Sequence, residues 1–218
     1  MPVTDNKSKT FRVRFEKTAA MKYISHLDLN RLFARSLARA QIEAEYSEGF
    51  NPHPKIAFAS ALSLGIESLC EFADVKIKGN RTGAEILMQT KGAFPPGINI
   101  LEVYEPANDF KNIDRARFHI FVKPEGFGPG ELEELFSGAV VVEKRPGVVV
   151  DLKDYICEIA ISQSQKDGSL LIDSVLKTNR EMFLNPENII KAVNSKFSAD
   201  DYFIRKIETY DHHNAVFR

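Results

Sequence analysis

His26, Asp28 and His53 are the side chains of this sequence that could take part in acid–base chemistry. His26 and Asp28 lie in the segment Ser25-His-Leu-Asp28, and His53 lies in the turn-rich segment Tyr46-Ser-Glu-Gly-Phe-Asn-Pro-His-Pro-Lys55. Histidine changes its charge near neutral pH, so His26 or His53 could serve as the general acid or base of an RNA-cleaving or other hydrolytic enzyme. Two histidines and a carboxylate could also bind a metal ion.

The spacing of these residues argues against a metal centre. A helix that begins after Ser25 places His26 and Asp28 more than about 100° apart around its axis. Ser25 is a typical helix N-cap, which explains this serine without a nucleophilic role. A structural alternative is that His26 forms hydrogen bonds at the helix entrance while Asp28 pairs with Arg31. We therefore predict no metal site, and we expect no cofactor within this chain because Walker A, GxGxxG and clustered-cysteine motifs are absent from it.

Arginines recur at every fourth position after the predicted helix start, at Arg31, Arg35 and Arg39. At 100° per residue they lie along one side of the helix with Asp28. The apolar residues fall on another side, which predicts a buried face formed by Leu29, Leu32, Phe33, Leu37 and Ala40. The arginines could bind RNA phosphates, or they could form a solvated face with Asp28–Arg31 and Arg39–Glu43 pairs.

The segment between residues 46 and 55 is predicted to be a loop of defined shape, since Gly49, Pro52 and Pro54 restrict its backbone. The Asn51 amide could contact the edge of a base or form an Asx-turn. Aromatic side chains near it could stack on bases. The candidate binding residues are therefore Arg31, Arg35, Arg39, Phe50, Asn51, His53 and Lys55.

His26 and this loop are expected at opposite ends of the same helix. A helix of 17 residues would separate them by about 25 Å. They could share a site only if the loop folds back along the helix, and the sequence leaves that open.

Composition predicts an ordinary soluble globular protein, with 44% hydrophobic and 27% charged residues and a net charge of −1. That balance does not indicate a DNA-binding protein. Residues 10–60 carry 8 Lys and Arg against 5 Asp and Glu, a local excess of +3. Cys70 and Cys157 are isolated in apolar runs and are expected to be buried, reduced thiols. With a polar start and no apolar run of about 18 residues, we expect a cytoplasmic protein with no membrane partner.

The elements needed to position these residues follow a β-α-β-β-α-β order. Residues 1–9 are expected to form a frayed tail. The predicted strands and helices that follow are 10–16, helix 25–42, 56–62, 71–78, helix 82–91 and 98–105. Alternating apolar residues in the strands favour an antiparallel sheet with one buried face.

Residues 107–218 are predicted to repeat this order with additions. The expected elements are strand 116–123, helix 129–136, strands 140–144, 155–163 and 169–176, helix 185–197 and strand 202–209. Residues 148–152 are either a small extra strand or an extended connection, and His212 and His213 are expected in a frayed tail. We predict an α+β fold of two tandem ferredoxin-like domains, 1–106 with the SHLD and GFNPHP motifs and a decorated 107–218.

Four segments carry a resemblance to a known family. The radical-SAM-associated family described by a domain of unknown function, DUF2344, is resembled by Tyr23-Ile-Ser-His-Leu-Asp-Leu29, the arginine-spaced helix after it, residues 46–58 and Leu62-Ser-Leu-Gly-Ile-Glu67. The resemblance implies a radical SAM partner and favours tRNA or rRNA as the substrate. Because cluster-binding cysteines are absent here, it implies an RNA-binding or substrate-presenting module and not a radical enzyme. A further hypothesis is a structural docking domain that contacts the radical SAM partner through the loop.

Overall fold

Four α-helices and mainly antiparallel strands make up residues 8–218, the part of the chain that the computed structural model describes. The protein is therefore a mixed α/β protein. The chain divides into two compact units, one that runs to Phe110 and includes Arg218, and one formed by Lys111–Phe217. The domain boundary at residues 106 and 107 stays a prediction.

The first unit contains a four-stranded antiparallel sheet with the strand order β4-β1-β3-β2. Its strands are β1 Ser8–Lys17, β2 Ile56–Phe58, β3 Glu67–Lys78 and β4 Ile98–Tyr104. Residues Phe11, Val13 and Phe15 alternate along β1 and are buried, as their period of two predicts.

Two helices cover the apolar face of this sheet, α1 His26–Arg39 and α2 Gly83–Thr90. At the start of α2, the Thr82 side chain accepts a hydrogen bond from the Glu85 backbone N–H at 3.3 Å. The Glu85 carboxylate accepts one from the Thr82 backbone N–H at 2.7 Å, which completes the predicted capping box.

Three details of the first unit differ from the prediction. Residues 1–7 of the expected tail lie outside the described residues, and Ser8 and Lys9 belong to β1, where they pair with Lys78 and Ile77. Strand β2 ends at Phe58, and β3 begins at Glu67 because its first residues pair with the end of β1. The predicted strand at 56–62 is therefore too long and the one at 71–78 too short.

In the second unit four strands pair antiparallel in the order β10-β5-β9-β8. Its strands are β5 Ile113–Val122, β8 Ile156–Gln163, β9 Leu170–Lys177 and β10 Tyr202–Asp211. Its helices are α3 Pro129–Ser137 and α4 Glu187–Asn194. Residues 148–152 prove to be mostly strand, since β6 Val141–Arg145 and β7 Val148–Asp151 pair as a separate hairpin.

Two predictions for the second unit are wrong. The segment with His212 and His213 is not frayed, because Phe217 is fully buried and its backbone N–H donates to the Thr209 carbonyl at 2.8 Å. Cys157 is exposed, since it lies at an irregularity of β8 where the pairing with β9 shifts register. Cys70 is buried, as expected. Each helix within residues 8–218 is too short or too polar to span a lipid bilayer.

Candidate functional site

The start of α1 is fixed by a serine cap. The Asp28 backbone N–H donates to Ser25 Oγ at 3.1 Å, and Ser25 Oγ donates to the Asp28 carboxylate at 2.7 Å. Arg31 forms an ion pair with the same carboxylate at 3.3 Å, which confirms the predicted Asp28–Arg31 pair. The hydrogen bond from Ser25, assisted by Arg31, lowers the pKa of Asp28. Asp28 is therefore ionised at neutral pH and is poorly suited to act as a general acid.

The apolar face of α1 holds the helix against the sheet. Leu29, Phe33 and Leu37 are buried, and Leu32 packs partly buried at the edge of the same core. The Phe33 ring contacts those of Phe15 and Phe94 with centroids 4.8 Å and 5.0 Å apart. The predicted apolar face is thus confirmed, and the polar face of the helix is held in a fixed direction.

The polar side of α1 forms one wall of an open cleft of about 360 Å³. Pro95, which follows α2, lies on the other side of this cleft. Two contacts hold the Pro95 segment beside the helix, the Phe33–Phe94 ring contact and a hydrogen bond from Arg39 Nη1 to the Ala93 carbonyl at 3.0 Å. The residues that line this arginine cleft are Asp28, Arg31, Leu32, Arg35, Ser36, Arg39 and Pro95.

The three arginines of the cleft differ in their partners. Arg31 pairs with Asp28, and Arg39 donates to a backbone carbonyl. Arg35 is exposed and has no hydrogen bond or ion pair with any residue in the range 8–218. Three guanidinium groups and one carboxylate give the lining a net charge of +2. The arrangement can bind an anion, with Arg35 as its unengaged cation.

The Arg39–Glu43 pair, which belonged to the alternative of a solvated helix face, does not form. Glu43 pairs with Lys78 instead, at 2.9 Å. Gln41 adopts a left-handed backbone with φ of 56°, which ends the helical path before Glu43. Glu43 therefore leaves the arginine face, and the cleft keeps its positive charge.

The loop between residues 46 and 54 is closed by Ser47 and His53. The Ser47 backbone N–H donates to the His53 carbonyl at 2.8 Å, and the His53 N–H donates to Ser47 Oγ at 3.1 Å. His53 Nδ1 lies 3.1 Å from the same hydroxyl. Asn51 makes no side-chain hydrogen bond with the described part of the chain, so the Asx-turn, one of the two roles considered for its amide, does not form. The reason is that Ser47 accepts from the N–H that an Asx-turn would use.

The base of this loop is tied to β3 by a carboxylate. Glu45 accepts hydrogen bonds from Lys55, Ser8 and Lys76, and these lower its pKa to about 2. Lys55 is therefore engaged in an ion pair with Glu45, which Glu45 shares with Lys76. Phe50 is fully exposed, so its ring is available for contact with a ligand.

His26 and His53 lie toward opposite ends of α1. The His26 ring packs edge-on against Phe58, with centroids 5.3 Å apart. The loop lies near the other end, where Pro54 lines a groove with Gln41. A helix of 14 residues is about 21 Å long. A hydrolytic function would therefore have to use one of the two histidines without the other. Within residues 8–218, no group of His, Cys, Asp or Glu side chains could hold a metal ion.

Other basic residues near this part of the chain do not join the cleft. Arg12 is fully buried, where it pairs with Asp74 at 2.8 Å and donates to the Asn108 side chain at 2.9 Å. Lys17 is also buried, and its Nζ donates to the Ile24 carbonyl at 3.3 Å. Burial lowers the pKa of Lys17, an effect that the charge of Glu71 opposes. The net positive charge of residues 10–60 is thus concentrated on α1.

Pro95 is the cleft residue that sequence reasoning missed. In the sequence, the segment Phe94-Pro-Pro-Gly97 indicates only the end of a helix. The two prolines, half-buried Pro95 and exposed Pro96, follow an aromatic residue that packs against the core, and this pattern was the available sign of a rigid surface wall. The position of that wall depends on tertiary packing.

Comparison with known proteins places the chain in a family. The family model described as "Uncharacterized protein conserved in bacteria (DUF2344)" matches residues 10–186, so the chain belongs to this family. No curated protein matches it. Among 21 matching chains of solved structures is the crystal structure of an unknown protein from Galdieria sulphuraria. It is 15% identical and covers 92% of this chain and 99% of its own, with a TM-score of 0.27.

Proposed function

We propose that this chain is a cytoplasmic RNA-binding or substrate-presenting module that acts beside a radical SAM enzyme that modifies tRNA or rRNA. The arginine cleft carries the RNA part of this proposal. Its lining has a net charge of +2 and contains a guanidinium group, that of Arg35, with no partner in residues 8–218. Phosphate contacts from arginine supply most of the sequence-independent affinity of nucleic-acid-binding proteins.

The spacing of the arginines supports a strand of phosphates as the ligand. Arg31, Arg35 and Arg39 are four residues apart, and this corresponds to about 6 Å along a helix. Successive phosphates of a nucleotide strand have a comparable spacing. The Asp28 carboxylate repels an anion at the start of the helix, so the strongest contacts with phosphates are expected at Arg35 and Arg39.

The loop is proposed to contact bases. Phe50 is fully exposed, and the Asn51 amide has no internal partner among the described residues. His53 is exposed beside them. Base stacking on an exposed aromatic ring is tolerant of sequence and suits RNA of several kinds.

We also propose that both units are ferredoxin-like domains. The strand orders β4-β1-β3-β2 and β10-β5-β9-β8, each with two helices between the strands, support this arrangement. The hairpin β6–β7 is then an insertion in the second domain.

The radical SAM partner is proposed from the resemblance of residues 23–29, 46–58 and 62–67 to that family. If the loop docks that partner, an Asn51→Ala/His53→Ala double variant should lose co-purification with it. Co-purification that survives the double substitution would exclude the loop as the docking element.

Charge reversal at Arg35 tests RNA binding. We expect Arg35→Glu to weaken binding to tRNA and rRNA fragments by about tenfold or more, since it removes a phosphate contact and adds a repulsive charge. The matched control is Arg180→Glu, which makes the same charge change at an exposed arginine of the second unit. Equal effects of the two substitutions in a binding titration would contradict the proposal.

A further inference from the structure

A second cleft, of about 480 Å³, lies within the second unit. It is formed where β5 ends, where β10 begins and beside the turn that joins β8 to β9. Its chemistry differs from that of the arginine cleft because aromatic and acidic groups dominate. The lining residues that matter are Phe121, Lys123, Asp167, Asp201, Tyr202 and Phe203.

Phe121 and Phe203 provide an aromatic wall. They are direct cross-strand partners in the pairing of β5 with β10, so their side chains share one face of the sheet. Their ring centroids are 6.0 Å apart and the ring planes differ by 30°. Both side chains are half-buried, so their strands hold the rings in place while leaving part of each exposed.

Lys123 and Asp201 provide one charge of each sign at the rim. The Lys123 backbone N–H donates to the Asp201 carbonyl at 3.0 Å, which keeps the two residues side by side. Both side chains are exposed, and neither forms a hydrogen bond or ion pair with residues 8–218. An ammonium group and a carboxylate are thus available together beside an aromatic wall.

Asp167 is less available than Asp201. Hydrogen bonds from the side chains of Ser164 and Ser169 lower the pKa of Asp167, and the Ser169 hydroxyl donates to it at 2.8 Å. Its carboxylate is therefore ionised but engaged within its own turn. Asp201 is the acceptor that remains for a ligand.

We propose that this cleft binds a nucleobase with an exocyclic amino group, as part of a single-stranded RNA. The base stacks on the Phe121 ring, since the Arg205 guanidinium already lies over the Phe203 ring, 5.0 Å from its centroid. Its amino group donates to Asp201, and a neighbouring phosphate pairs with Lys123. Stacking on aromatic side chains and acceptance of cytosine N4–H by a carboxylate are established modes of recognition. A cationic side chain as ligand is disfavoured because Lys123 stands at the rim.

Cytosine and uracil pentamers test this site, since the two bases differ in the group that faces Asp201. Cytosine presents an amino donor where uracil presents a carbonyl acceptor. The full chain should bind the cytosine pentamer about tenfold more tightly than the uracil pentamer, and an abasic pentamer more weakly than either. Asp201→Ala should remove the discrimination. Asp200→Ala, a change at an adjacent exposed carboxylate outside the cleft, should preserve it.

Phe121→Leu tests the stacking contact while keeping apolar volume. It should lower affinity for the cytosine pentamer about tenfold and leave abasic binding unchanged. Thermal unfolding of each variant checks that the second unit stays folded.

The outcomes separate this site from the arginine cleft. Arg35→Glu should preserve the preference for the cytosine pentamer over the uracil pentamer, because Arg35 lies in the first unit and the second cleft lies in the other. If Arg35→Glu weakens RNA binding but the wild-type chain does not discriminate between cytosine and uracil, the second site is wrong and the arginine cleft is unaffected. Three results would overturn the proposal. The wild-type chain would bind the cytosine and uracil pentamers equally, or the discrimination would survive Asp201→Ala. In the third, free arginine amide would displace the pentamer and cytidine monophosphate would not.

Discussion

Replacement of Arg12 by methionine is expected to destabilise the first unit strongly. The Arg12 guanidinium is fully buried and forms a two-point ion pair with Asp74, with N–O distances of 2.8 Å and 2.9 Å. It also donates to the side chain and carbonyl of Asn108, both at 2.9 Å, and lies 4.3 Å from the centroid of the Phe110 ring. Arg12 thus ties β1 and β3 to the segment that ends the unit.

The size of the effect follows from what remains after the substitution. Removal of one partner from a buried ion pair costs about 3–5 kcal/mol because the other charge is left unpaired. The Asp74 side chain is 20% exposed, so water can partly solvate its carboxylate once Arg12 is removed. We therefore expect a loss of about 3 kcal/mol in the free energy of unfolding for Arg12→Met. A second change, Asp74→Leu, should restore part of this loss by removing the unpaired carboxylate.

Urea unfolding followed by circular dichroism measures this difference. The control is Lys9→Met, which removes the ion pair between Lys9 and Glu105 on the same strand. Those side chains are 45% and 62% exposed, so we expect a change of less than about 1 kcal/mol. The reasoning is refuted if Arg12→Met destabilises no more than Lys9→Met.

Three further predictions concern other elements. The pKa of Glu45 is lowered to about 2 in the folded protein, so the ionised carboxylate stabilises the fold above its unfolded pKa, and this contribution is lost as the pH falls toward 2. Glu45→Gln should therefore flatten the pH dependence of the free energy of unfolding, measured by urea unfolding between pH 2 and 5. Gly83→Ala should lower the free energy of unfolding by about 1–3 kcal/mol, because a Cβ at this position would lie 2.1 Å from the Val103 carbonyl oxygen. The control is Gly130→Ala, where a Cβ meets open space, and it should leave the midpoint of thermal unfolding unchanged. Thr82→Ala should cost about 1 kcal/mol through loss of the α2 cap, and an unchanged midpoint of urea unfolding would contradict that role.

Features that depend on local sequence could be predicted. Ser25 begins α1 because its side chain caps the helix, and the period of the apolar residues places Phe33 in the core. The same period places Arg31, Arg35 and Arg39 on one exposed side. The length of the helix placed His26 and His53 at its opposite ends, but whether the loop folds back along the helix could not be read from the sequence.

Features that depend on packing between distant segments could not be predicted. The alternation in β1 places Arg12 opposite the buried phenylalanines and so suggests that it is exposed, yet Asn108 and Phe110 lie against it. Likewise, Pro95 becomes a wall of the cleft because Phe94 packs on Phe33. A strand pattern reports which face a residue occupies but not whether another segment covers that face.

The salt dependence of RNA binding is the most direct test of the arginine cleft. A variant with glutamine at Arg31, Arg35 and Arg39 should bind a single-stranded RNA with a weaker dependence of log affinity on log salt concentration. If each arginine neutralises one phosphate, the slope should fall by about 2, since each phosphate contributes about 0.7. An unchanged slope, with the variant still folded, would contradict the claim that this cleft binds the RNA backbone.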